Sequence, residues 1–402
     1  MTTMNNYATG AGRTAMGILT DAIQKNLGQA ERVIEQVNTM VINDRIVRGK
    51  ALDFSVDNDP EITVDSLAVS DDSRQLLDDI LDRHDEKQRE RATTGRLLMH
   101  TPDGANLFLH DNALGQLSDK TNVPLRYARE LTTKGEWGID LLAENFRRIL
   151  QHGNGTRFLV RAVGNEARGF LSDRYRIFDA RPILDSFLGA CANLGVVPIH
   201  GYALDTKVAL QVLLPQVFEP IPGEPLAIGA HFQTSDFGNG ALSLNIFFKR
   251  VVCLNGAIGE ALMKQVHIGR QMSEMFSQET INADSQVTAM KVADVTNFAF
   301  DPDNLRAMMT SVRKAHEDEM NPKKAVEILK AKLNKDEMQK AVEAYNSPDV
   351  VMLPPGNSRY RLSNAVSFIS QAAEITPERR LELDRFAGEL LGLAPASKAV
   401  EV

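Results

Sequence analysis

EPLAIGAHFQTSDFGNGALSLNIFFKRVVCLNGAIGEALMKQVHIGR, residues Glu224 to Arg270, is the stretch that decides the fold class. Leu226, Ile228, Ala230 and Phe232 alternate with Ala227, Gly229 and His231. Alternation at period two marks a half-buried strand. Ser235-Asp236-Phe237-Gly238-Asn239-Gly240 follows, where two glycines and an asparagine let the backbone take positive φ. The return run sets Leu242, Leu244, Ile246 and Phe248 against Ser243, Asn245, Phe247 and Lys249. The period predicts two long antiparallel strands and a hairpin turn. Asn255-Gly256 then predicts a strand end, with an apolar helix from Ala257.

Working outward, strands are predicted over 158–163, 167–171, 196–204 and 208–214, and a helix over 181–193. Pro215 to Pro225 reads as a Pro-rich loop. Upstream, Ile23, Leu27, Ala30, Ile34, Val37 and Val41 recur at helical spacing, so a helix is expected over 19–42. A strand over 45–54 follows, then a charged helix around 70–91. Next come a hairpin over 96–109 turning at Pro102-Asp103-Gly104, and helices over 112–119, 124–132 and 138–150. Downstream, helical periodicity recurs over 281–298, 302–319, 323–333, 336–345, 362–373 and 377–391. The expected class is α+β: a central antiparallel sheet with packed helices, flanked by an N-terminal α/β segment and a helical C-terminal region. The expected divisions are 1–13 disordered, 14–150 N-terminal, 151–270 central, 271–393 helical and 394–402 frayed.

The 402 residues are 43% hydrophobic and 24% charged, ordinary for a globular protein. No apolar run reaches the roughly 18 residues a membrane span needs. The N-terminus lacks a charged-then-apolar signal layout. Two cysteines, Cys191 and Cys253, suit a reducing cytosol and offer no zinc framework.

The net charge is −8, which counts mildly against wholesale phosphate binding, although distribution matters more than the sum. The chain is locally basic. Arg147, Arg148, Arg157, Arg161, Arg168, Arg174, Arg176 and Arg181 fall between 147 and 181, with no lysine and only Glu166, Asp173 and Asp179 as acids. Arginine's planar fork grips phosphate bidentately and stacks on bases. Arg157, Arg161, Arg168, Arg174 and Arg176 are therefore candidate phosphate contacts, with Lys249, Arg250 and Arg270 extending a groove. Tyr175, and Phe237 at the tip of a protruding hairpin, are candidate stacking residues. The competing expectation is a structural network in which Arg174 pairs with Asp173 or Asp179. His267-Ile268-Gly269-Arg270 reads either as an anion-binding turn or as a helix end. His100, Asp103, His110 and Asp111 lack the fixed offsets of a metal site. No motif of nucleophilic or metal-assisted hydrolysis is present, so neither a cofactor nor a catalytic residue is expected.

The Ser-acid-x-Gly-x-Gly turn, Arg250-Val251-Val252-Cys253-Leu254-Asn255-Gly256 and His267-x-Gly-Arg270 together resemble a phage and plasmid protein family known as a domain of unknown function. LSDKTNVPLRYAREL, from Leu117 to Leu131, and FLSDRYRIFDARPI, from Phe170 to Ile183, carry the same resemblance. It covers Leu114 to Arg270, and it implies a fold and a phage-like setting in a bacterial cytoplasm but no reaction. The order hairpin, helix, hairpin, hairpin, helix also looks like the cores of single-strand annealing proteins, which form rings. A single-stranded DNA-binding or annealing accessory of phage replication or recombination, non-enzymatic and homo-oligomeric, is the first expectation. The alternative is a protein-interaction or assembly module that acts on a host factor or phage polymerase through the helical C-terminal region, with phage replication or transcription proteins as its partners.

Overall fold

The computed structural model describes residues 15–57, 93–153, 155–177, 179–251, 256–265, 278–346, 353–354, 356–370, 377–393 and 400–401, together with Ala372 and Ile375. Helix α1 (Ala15–Thr39) buries Ala30, Val33 and Val37, one side of its turn pattern. Strand β1 (Ile42–Arg48) passes through a 3-10 turn at Gly49–Ala51 into β2 (Asp53–Val56). The hairpin β3 (Thr93–His100) and β4 (Asn106–His110) leads to three helices. These are α2 (Asp111–Thr121), α3 (Leu125–Thr132) and α4 (Glu136–Gln151). A second hairpin, β5 (Arg157–Val163) and β6 (Glu166–Ser172), completes a six-stranded sheet in the order β1-β5-β6-β4-β3-β2. The three helices share one core with it, where Phe54 and Phe146 meet at 5.7 Å between ring centroids. Each large apolar side chain fully buried there contributes roughly 1.5–3 kcal/mol.

Helix α5 (Ala180–Asn193) precedes a five-strand meander. It comprises β7 (Val197–Ala203), β8 (Val208–Ile221), β9 (Glu224–Thr234), β10 (Leu242–Arg250) and β11 (Gly256–Gln265). Neighbours pair antiparallel in sequence order, giving the second sheet. Leu226, Ile228, Ala230 and Phe232 on β9, with Leu242, Leu244, Ile246 and Phe248 on β10, supply its apolar face, as the alternation required. The helices that follow are α6 (Gln278–Ala299), α7 (Pro302–Glu317), α8 (Pro322–Lys330), α9 (Lys335–Asn346), α10 (Arg359–Ser370) and α11 (Pro377–Leu391). Two of them start as the sequence signals: Asp301 and Asn321 cap α7 and α8, each with proline at the first helical position. Helix α10 is enclosed by its neighbours and buries ten of its twelve residues. Strand β12 (Val400–Glu401) pairs parallel with β11.

The α+β class is as expected, but several boundaries differ. There are two sheets, and β5 and β6 belong with the N-terminal strands, because β1 pairs with β5 from Ile42↔Val163 to Arg48↔Arg157. The division at 150/151 therefore falls inside the first sheet. The helix expected from Ala257 is strand β11, whose pairing with β10 slips in register twice and breaks the period-two signal. The Pro-rich loop is the end of β8 and the start of β9, again with register shifts. The tail expected to fray includes β12. The charged helix around 70–91 and the disordered start at 1–13 lie outside the described residues. Among the described residues, no helix is long and apolar enough to cross a membrane.

Candidate functional site

Arg161 is 1% exposed and sits where the two sheets meet. Its Nε donates to Asp44 Oδ1 at 2.7 Å, its Nη2 to Asp179 Oδ1 at 2.6 Å, and its Nη1 to the Asp236 carbonyl at 2.7 Å. Burial opposes its charge, but the carboxylates of Asp44, Asp179 and Asp236 outweigh that and raise its pKa. Arg168 is buried too, donating to Glu166 Oε2 at 2.7 Å and to the Asp205 carbonyl, between β7 and β8, at 3.1 Å. Arg176 forks onto Asp284 of α6, its Nε at 2.6 Å. Arg157 reaches Asp173 at 3.4 Å. The guanidinium of Arg174 is exposed, without an ion-pair partner among the described residues.

Arg161, Arg168 and Arg176 are thus joints and not an open phosphate track. Arg161 and Arg168 leave the first sheet and end on loops of the second, and Arg176 ends on a helix behind it. A buried guanidinium held by carboxylates has no free fork for a phosphate, and exposing it costs those bonds. The proposed pairing of Arg174 with Asp173 or Asp179 is absent as well: those carboxylates serve Arg157 and Arg161.

The turn from Ser235 to Gly240 is a plug in place of a finger. Phe237 is 1% exposed, and its carbonyl accepts from Asn112 Nδ2 at 2.9 Å and Gln116 Nε2 at 2.8 Å, both on α2. Asp236 Oδ1 accepts the Ala180 N–H at the head of α5 at 2.8 Å. Burial, against the pull of Arg161, lifts the Asp236 carboxyl to about 7. Ser235 Oγ donates to the Thr206 carbonyl at 2.7 Å. Gly238 has φ +79°, a conformation that favours glycine, and a Cβ there would also push on the Leu171 side chain. Tyr175 is likewise buried, its hydroxyl directed at the Ser235 carbonyl at 3.4 Å. Neither aromatic ring is open to a base.

Lys249 and Arg250 are consecutive on β10, so they face opposite sides of the second sheet. Arg250 is buried and forks onto Glu224 at 2.5 and 2.8 Å. Lys249 lies over the Phe247 ring and donates to Gln211 Oε1 at 3.2 Å; burial lowers its pKa. Arg270, His267, Phe178 and Cys253 lie outside the described residues. His100 bonds Ser55 and Asn106, Asp103 pairs with Arg45, His110 caps α2 and Asp111 pairs with Arg129. These roles are structural, and among the described residues no group of three or more His, Cys, Asp or Glu is placed to hold a metal ion.

One surface stands out that charge counting did not pick. Trp137, the chain's one tryptophan, is 62% exposed, and Leu141, Ile149 and Tyr127 are each about two-fifths exposed. Trp137, Leu141, Asn145 and Ile149 recur every four residues on α4. Tyr127 joins from α3 through a 3.5 Å contact between its hydroxyl and Asn145 Nδ2. Lys134 pairs with Glu130 at 3.7 Å and Arg148 with Glu144 at 2.5 Å around this strip. An aromatic centre inside a rim of mixed charge has the anatomy of a protein interface. The four-residue spacing of Trp137, Leu141 and Ile149 was visible in the sequence, interleaved with the core set Leu142, Phe146 and Leu150.

Compared with protein-family models, curated proteins and solved structures, the chain matches none.

Proposed function

We propose that the chain is a protein-assembly module whose α3–α4 face docks a second copy of itself. The observation that carries this is the exposure of Trp137 beside Tyr127, Leu141 and Ile149. Trp and Tyr dominate the energetics of protein interfaces, and one such anchor is worth about 2 kcal/mol or more when it is buried against a partner. The occupant follows from the charges along α4. Glu136 and Asp140 lie towards its N-terminus, and the exposed Arg148 towards its C-terminus. Two antiparallel copies set Trp137 against Ile149, and the acidic end of each helix near the basic end of the other. Such a patch is self-complementary, as a two-fold interface requires.

A bacterial host cytoplasm is the setting in this proposal, and it rests on the resemblance to phage and plasmid proteins. The single-stranded DNA role is not carried forward along the arginines, because the guanidiniums of Arg157, Arg161, Arg168, Arg176 and Arg250 are engaged by carboxylates.

Sedimentation of the full chain tests the proposal. At tens of micromolar, roughly the range in which a standard interface holds, the chain should sediment as a dimer. Trp137→Glu combined with Leu141→Glu should give a monomer of unchanged circular dichroism. A monomeric parent chain, or a double variant that still dimerises, overturns it. A salt-sensitive mobility shift with a single-stranded oligonucleotide, lost on Arg174→Ala, would put nucleic-acid binding in its place.

A further inference from the structure

The face of the second sheet opposite its main core is polar at the centre. Gln211 and Asn245 both pair with His231, one on each neighbouring strand, and Gln233 pairs with Ser243. Asn245 is 1% exposed and His231 5%. Asn245 Nδ2 has no hydrogen-bond partner, and His231 and Gln233 have only each other. Folded proteins keep few such atoms without a reason, since each carries a desolvation cost that nothing returns. Beside Asn245 and Gln233 opens a cleft of about 340 Å³, whose lining includes Gln233, Ser243, Asn245, Lys264, Arg385 and Glu389. That volume is within the range of roughly 300–1,000 Å³ that small-molecule sites occupy.

The charges around the cleft select the ligand. Lys264 and Arg385 are exposed at its edge. Among the described residues, the one carboxylate in its lining, Glu389, is held by Lys332 at 3.3 Å. Asn245 Nδ2 is a donor and Gln233 Oε1 an acceptor. Unused donors beside a fork-shaped cation suit an oxyanion, and an acceptor nearby suits a hydroxyl on the same molecule.

We propose that this cleft binds a small hydroxylated organic oxyanion, its phosphate or carboxylate group against Arg385, Lys264 and Asn245, and a hydroxyl at Gln233. The site is independent of the α3–α4 face.

Calorimetric titration of the full chain with adenosine monophosphate, inorganic phosphate and malate tests this at constant ionic strength. At least one of the three should bind at a single site. Adenosine monophosphate or inorganic phosphate as the better ligand marks a phosphate site, and malate a carboxylate site. Arg385→Gln should weaken binding by about tenfold or more, the effect of losing a charge-assisted fork, while the free protein melts as before. Asn245→Ala should also weaken binding, yet melt no lower than the parent chain, because its amide nitrogen has no partner to lose. A lower melting temperature in Asn245→Ala would assign that side chain to the fold and overturn its place in the site. Failure of all three probes to bind, or equal affinity in Arg385→Gln, overturns the proposal.

Discussion

A guanidinium carries five N–H donors and no acceptor, so a buried arginine has to be ringed by oxygen atoms. Arg161 finds its oxygens on Asp44, Asp179 and Asp236, and Asp44 and Asp236 lie 117 and 75 positions away along the chain. Arg176 finds Asp284 from 108 positions away. The run from Arg147 to Arg181 looked basic because only its local acids could be counted, and ion pairing has no period to read. His231 gives the converse case, a buried titratable group with no carboxylate among the causes of its shift. Its pKa is pushed from 6.5 down to about 4 by burial, which outweighs the opposing hydrogen bond with Gln233. The unfolded chain therefore takes up a proton, as pH falls from about 6.5, that the folded chain refuses until about 4. Stability should be lost over that window, by about 2 kcal/mol between pH 7 and 4.5 from this group alone. Asp236, with its pKa raised to about 7, acts in the opposite sense, so the comparison must be with a variant. Urea unfolding of His231→Gln at the two pH values should show that much less acid loss than the parent chain. Equal losses would mean that His231 is not held neutral.

Among elements, α11 illustrates why docking is harder to foresee than helicity. Its period was legible, and so was its start at Pro377. Its seat on β11 was not, because β11 itself reads as a helix. Gly388 makes the contact: a Cβ there would lie 1.8 Å from the Ile258 carbonyl oxygen. Glycine inside a helix ordinarily costs up to about 1 kcal/mol relative to alanine, so Gly388→Ala on a free helix would stabilise. Here it should destabilise by about 2 kcal/mol, the scale of forced overpacking. Urea unfolding checks this, and a gain in stability would show that α11 does not rest on β11. The β9–β10 hairpin was readable for the opposite reason. Its two faces differ so plainly that a one-residue slip would turn Leu244 and Phe232 onto the polar face of Asn245 and His231.

At the scale of the whole molecule, the two sheets are joined by Arg161 and Arg168 and by the Phe237 plug against α2. The class was legible from periodicity, but the partition into two sheets was not, since it depends on β1 pairing with β5 across more than a hundred residues. The joints predict that both sheets unfold together. Trp137 fluorescence reports the helical layer on the first sheet, and far-UV circular dichroism reports the whole chain. The most direct measurement is urea unfolding of the parent chain and Arg161→Gln, followed by both signals. The two signals should coincide in the parent chain. Arg161→Gln should lose about 2–4 kcal/mol, somewhat less than a fully enclosed ion pair because water reaches Asp44 and Asp179. An unchanged midpoint in Arg161→Gln would contradict the account, since a guanidinium reserved for a phosphate can be removed without cost to the fold.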